Sequence, residues 1–208
     1  MDTDKAAAEL KVIRQLMERP IRFSTMSGLS GLWAGAMALL GLVLDLCVTG
    51  LFRGRSEVAL WVNAGVWSGV FVLAAAGAWT LTRRREKKQG MPVWSRVKTR
   101  LLLTVLAPFV CGAALTGVLV LRWCAVGEPN TPAQFAIVPA VWMLFYGVAL
   151  WQLGEVSPRE VRFLGAAFIL AGLASAAFFQ GWPYLTLGAT FGGFHLVYGA
   201  IVWARYGG

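Results

Sequence analysis

Histidine is almost missing from this 208-residue chain: His195, inside FGGFHLVYGA (191–200), is the only one. Acids are scarce too, ten Asp and Glu against nineteen Lys and Arg, and thiols are limited to Cys47, Cys111 and Cys124. Each shortage excludes a class of chemistry. An odd cysteine count without a CxxC spacing gives no disulfide framework and no zinc site; the three read as small hydrophobic filler. There is no Ser–His–acid set, no pair of carboxylates at a membrane surface, no HExxH motif and no phosphate-cradling glycine loop. GLSGL (28–32) has the wrong spacing for a nucleophile elbow and lies inside an apolar run. The expectation is a non-enzymatic chain with no catalytic residue and no metal site.

What is abundant is apolar sequence. Hydrophobic residues make up 58% and charged ones 14%, where soluble domains sit nearer a half and a quarter. A bilayer core asks for roughly 20 apolar residues per helix. Six stretches answer: 24–49, 58–81, 101–121, 134–153, 161–179 and 183–204. Short separators favour antiparallel neighbours, so the expected fold is all-α, a polytopic bundle of six transmembrane helices over residues 23–208. Pro108 and Pro139 fall inside the third and fourth stretches as kink candidates, and Ser157, Pro158 and Glu160 read as a capping box starting the fifth. Residues 1–22 do not span. Leu10, Ile13, Met17 and Ile21 recur at helical spacing among Lys11, Arg14 and Arg19, which predicts an amphipathic helix on the inner leaflet or, alternatively, a docking helix for a partner. No cleavable signal peptide is expected, because the first 20 residues are charged and the first apolar block is too long for a signal h-region.

Net charge of +9 raises nucleic acid as a partner, but the cations are clustered. Eight lie between Arg83 and Arg100, wedged between apolar blocks, and an inside N-terminus puts sixteen Lys and Arg inside against three outside (Arg53, Arg55, Arg122). By the positive-inside rule both termini are cytoplasmic. Arg83, Arg84, Arg85, Lys87 and Lys88 then face anionic lipid rather than nucleic acid.

Small residues mark helix contacts in lipid. Ser27, Gly31, Gly35, Ala38, Leu42 and Asp45 form one stripe in the first span; Gly188, Gly192, His195 and Gly199 form another in the last. Asp45 is therefore expected on a packed face, with Asn63 or one of Arg53, Arg55 and Arg122 as partner. Its reading is either a register-fixing hydrogen bond or an ion or proton site, because intramembrane acids are functional candidates. His195, about 18 Å along its helix from Pro183 at 1.5 Å per residue, lies near mid-bilayer and is expected inside the bundle. It is a structural histidine, a proton or substrate carrier, or a ligand.

WMLFYGVALW (142–151) echoes FHLVYGAIVW (194–203) at an offset of 52, with Met143 in the place of His195. Two spans separate them, so helices 3–4 and 5–6 are expected to be related hairpins. Met and His at equivalent positions also raise haem or pigment ligation, which a single histidine argues against.

MERPIRFSTMSGLSGLWAGAMALLG, VRFLGAAFILAG and FGGFHLVYG together resemble a family of small, uncharacterised bacterial membrane proteins. The resemblance implies a bacterial inner membrane and no reaction. Two functions remain in view: an accessory or scaffold subunit packing against a protein partner or a second copy, which the scarcity of intramembrane charge favours, or a small transporter, channel or sensor using Asp45, Asn63 and His195.

Overall fold

The computed structural model describes residues 28–51, 56–88, 90, 94, 96–126, 135–155 and 157–206. The expected helix over 1–22, Ser27, Arg53 and Arg55 lie outside them. All regular structure among the described residues is helical: α1 (Gly28–Leu51), α2 (Ser56–Lys88), α3 (Arg96–Val126), α4 (Val138–Leu153), α5 (Arg159–Phe178) and α6 (Pro183–Tyr206). Five of the six are long and apolar enough to cross a membrane.

The exception is α4. Its 16 residues reach about 24 Å at 1.5 Å each, against roughly 30 Å of hydrocarbon. The stretch expected from residue 134 starts late because Pro139 falls in the first helical turn, after a turn at 136–137. Proline suits that position, where its missing N–H is an orphan anyway. Pro139 is thus a helix start and not a kink, whereas Pro108 does lie inside α3. The start of α5 differs too. The N-cap position falls on Pro158, with no side-chain cap, and the Glu160 carboxylate accepts a hydrogen bond from Arg205 at the far end of α6 (2.7 Å). Gly90 closes the end of α2 at φ +67°, its N–H bonded to the Lys87 carbonyl, a backbone state glycine adopts without a Cβ clash.

Two antiparallel pairs are packed backbone to backbone. On α1, a Cβ at Gly28 would lie 2.5 Å from the Trp203 nitrogen and 2.7 Å from the Gly199 oxygen of α6. On α5, a Cβ at Gly165 would lie 2.6 Å from the Trp151 nitrogen and 2.8 Å from the Gly147 oxygen of α4. Gly35 meets Leu196 and the Gly192 carbonyl; Gly172 meets Leu144 and the Ala140 carbonyl. Each of these contacts of one pair maps onto the other at fixed offsets, 52 from α4 to α6 and 137 from α1 to α5. The sequence echo is therefore a packing repeat, but the related units are α4 with α5 and α6 with α1. The expected pairing of hairpins 3–4 and 5–6 is corrected: the second helix of each unit carries its matching glycines on α5 and α1, which the echo does not contain.

The remaining helices attach one to each pair. Helix α2 lies on α1, where the Trp33 indole N–H donates to the Leu73 carbonyl (3.0 Å). Helix α3 lies on α4, where Trp142 Nε1 donates to Thr116 Oγ1 (3.2 Å). The described helices thus form two groups of three, α1–α2–α6 and α3–α4–α5. They meet mainly through large aromatic side chains around Phe168, Phe191 and Tyr146.

Candidate functional site

The boundary between the two groups holds the single histidine. Helix α6 turns the Gly188–Gly192–Gly199 stripe toward α1; His195, one step round the helix, faces α4 instead. Its Nδ1 lies 2.9 Å from the Phe191 carbonyl of the preceding turn. A carbonyl can only accept, so Nδ1 carries the hydrogen and the neutral ring keeps Nε2 as acceptor. The Tyr146 hydroxyl of α4 donates to that nitrogen at 2.7 Å. The ring is 6% exposed, stacked along Phe191 (13° between planes) and close to Phe168, with centroids at 5.4 Å.

This environment bears on the ligand reading of His195. An axial bond to haem or pigment iron needs a free ring nitrogen and open space beside it. Both nitrogens are engaged and the flanks are filled by phenylalanines, so these residues do not fit such a group. Met143, the echo position, is fully buried in the core cluster with Phe168 and Tyr198. The geometry makes His195 a crosslink between helices.

The second polar locus lies at the end of the molecule away from the basic loop. Asp45 of α1 (3% exposed) and Asn63 of α2 (6%) are both buried, and the two helices pack against each other. The Trp67 indole N–H approaches the Asp45 carboxylate but meets no acceptor at full hydrogen-bond geometry. Trp67 lies parallel to Tyr184 of α6, centroids 6.4 Å apart. Arg122, a partner candidate from sequence, is solvent- or lipid-exposed. His195 and the Asp45 cluster are two loci rather than one site, half of α6 apart.

A third locus was hidden among the cations. Glu86, the only acid between Arg83 and Arg100, is 2% exposed. Its Oε2 accepts from Arg83 of the same helix and from Lys98 of α3, both at 2.7 Å. Arg83 is therefore engaged internally, while Arg84, Lys87 and Lys88 are exposed. Tyr146, Trp67 and Tyr184 were also not singled out by sequence reasoning. Tyr146 had a signal, as the echo of Tyr198 beside the echo of His195; the other two had none, because their roles depend on which helices meet.

The groove between α4 and α5, lined by Val148, Trp151, Ala166, Ile169 and Leu170, holds about 340 Å³ and is almost wholly apolar, so it offers space but no chemistry. Comparison of the chain with protein-family models, with curated proteins and with solved structures finds no match.

Proposed function

We propose that the chain is a non-catalytic integral membrane subunit that packs against a protein partner through helix α2. One observation carries this reading. No residue between Asn63 and Glu86 is buried, and a Cβ at Gly65 or Gly69 would meet nothing within 4 Å. The glycines of α1 and α5 that share this i, i+4 or i, i+7 spacing are closed by a helix backbone. Small residues let helix backbones approach, which is how helices associate where lipid removes the hydrophobic drive. The buried polar groups support the same reading, since His195 is consumed by its two hydrogen bonds.

In this proposal the membrane is the bacterial inner membrane, with both termini and the basic loop cytoplasmic and Arg84, Lys87 and Lys88 toward anionic headgroups. Reporter fusions after residues 90 and 208 then read inside and one near residue 128 reads outside. Gly69→Leu tests the docking face itself. Because the site is open in the isolated chain, the variant keeps wild-type thermal stability. It loses the complex that native mass analysis of the protein, purified gently from its own membrane, displays for wild type. A complex that survives Gly69→Leu and Gly65→Leu overturns the assignment to α2.

A further inference from the structure

We infer that the two three-helix groups are rigid halves that hinge at the basic-loop end and open at the opposite end, with the Tyr146–His195 hydrogen bond as the latch between them. This inference rests on internal packing and stands apart from the docking role of α2.

Rigidity within each half comes from backbone contact. Gly28, Gly35 and Gly199 leave no room for a methyl between α1 and α6, and Gly147, Gly165 and Gly172 leave none between α4 and α5. Such interfaces cannot slide without steric clash, so each pair moves as one body. The cross-helix bonds Trp33–Leu73 and Trp142–Thr116 tie α2 and α3 to their own halves.

Between the halves the contacts differ at the two ends. At the basic-loop end, ion pairs bridge the boundary: Glu86 of α2 to Lys98 of α3, and Glu160 of α5 to Arg205 of α6. At the other end the α5–α6 side is joined by the short turn at 179–182 and the Ser175–Thr186 hydroxyl pair (2.8 Å). The α2–α3 side there is joined by aromatic edges, Trp61 with Trp123 and, deeper, Phe71 with Phe109, at centroid distances of 5.8 and 5.6 Å. Aromatic rings can part and re-pack in steps where interlocked backbones cannot. Midway stands the latch, His195 on one half and Tyr146 on the other. Domain opening about a fixed edge is a recurrent way for packed helices to switch.

Two native cysteines read the motion directly. Cys47 on α1 and Cys124 on α3 are exposed, belong to opposite halves and lie at the opening end. Spin labels on this pair in a Cys111→Ser chain, reconstituted in lipid nanodiscs, give the distance distribution by pulsed electron spin resonance. A second pair, Lys87→Cys with Arg100→Cys in a chain whose three native cysteines are serine, reads the basic-loop end. Tyr146→Phe is expected to lengthen and broaden the Cys47–Cys124 distribution and to leave the 87–100 distribution unchanged. His195→Gln, whose amide can still accept from Tyr146, is expected to stay close to wild type. Should Tyr146→Phe not fold, Ser175→Ala carries the same expectation at the opening end. A Cys47–Cys124 distribution that is the same in the variant and in wild type overturns the latch. Equal broadening at both ends overturns the hinge.

Discussion

A Cβ placed on Gly31 would sit 2.9 Å from the Cα of Gly199, nearer than real Cβ atoms come to another backbone. That pair marks the line along which α1 and α6 touch, and it separates two kinds of glycine. Gly199→Ala would push its methyl to 2.5 Å from the Leu32 nitrogen and 2.8 Å from the Gly28 oxygen. Neither is a flexible side-chain tip, so the helices must separate, at a cost of about 2–3 kcal/mol as for other overpacked cores. Gly69→Ala adds its methyl to open space and should change stability by less than about 0.5 kcal/mol, as surface substitutions do. Tryptophan-fluorescence melts of the two purified variants compare them. Equal midpoints would mean that the two glycines are not differently packed.

Tyr146 and His195 should behave as a coupled pair. Tyr146→Phe leaves Nε2 of a 6%-exposed imidazole without its donor, and His195→Leu strands the tyrosine hydroxyl. Hydrogen bonds between membrane helices average only about 0.6 kcal/mol and reach roughly 1.7, while stranding a buried group adds to the loss. Each single change should therefore cost about 1–2 kcal/mol, and the double variant should cost less than the sum of the two. His195→Gln should be the mildest of the set. Strict additivity in the double-mutant cycle would show that the two side chains do not interact.

The sequence was most informative where a single helix sufficed. The Gly31–Gly35–Ala38–Asp45 face and the Gly188–Gly192–His195–Gly199 face are periodic on their own helices, and both are buried as stripes. What those stripes touch is a property of two helices. Nothing in the chain's order says that its first and last helices meet, and it is α1 rather than the sequence neighbour α5 that closes the glycine stripe of α6. Likewise the charge-dense run 83–100 reads as a solvated loop, because burial of Glu86 depends on Lys98 arriving from the next helix. Length misled at α4, where the apolar run continues upstream of the proline that starts the helix.

Asp45 and Trp67 can be told apart by which group lacks a partner. Trp67→Phe deletes an indole N–H that meets no acceptor at full geometry while keeping an aromatic ring against Tyr184. Removing an unsatisfied buried donor is neutral or stabilising, so its melting midpoint should match or exceed wild type. Asp45→Leu removes a carboxylate buried at 3% exposure and should lower stability, by about 1–2 kcal/mol if a hydrogen-bonded group is stranded. Thermal melts in detergent at one fixed pH settle the pair. A large loss in Trp67→Phe would mean that the indole N–H is satisfied in the folded protein.

Glu86 offers the sharpest electrostatic test, because one carboxylate oxygen holds two cations from two helices. Glu86→Gln keeps the side-chain volume and one acceptor but removes the charge, leaving Arg83 and Lys98 to repel each other across the α2–α3 turn. Breaking a buried ion pair from one side costs roughly 3–5 kcal/mol, and exposed pairs cost under about 1. With Glu86 at 2% but Arg83 at 24% and Lys98 at 12% exposure, an intermediate loss of about 2 kcal/mol is expected. Added salt should recover part of that loss in Glu86→Gln, since the residual repulsion is screened, while wild type should gain little. Replacing Lys98 by Met in the same background should recover stability without salt, because it removes one of the two repelling charges. If Glu86→Gln melts at the wild-type midpoint in low salt, the two ion pairs do not hold the base of α2 against α3.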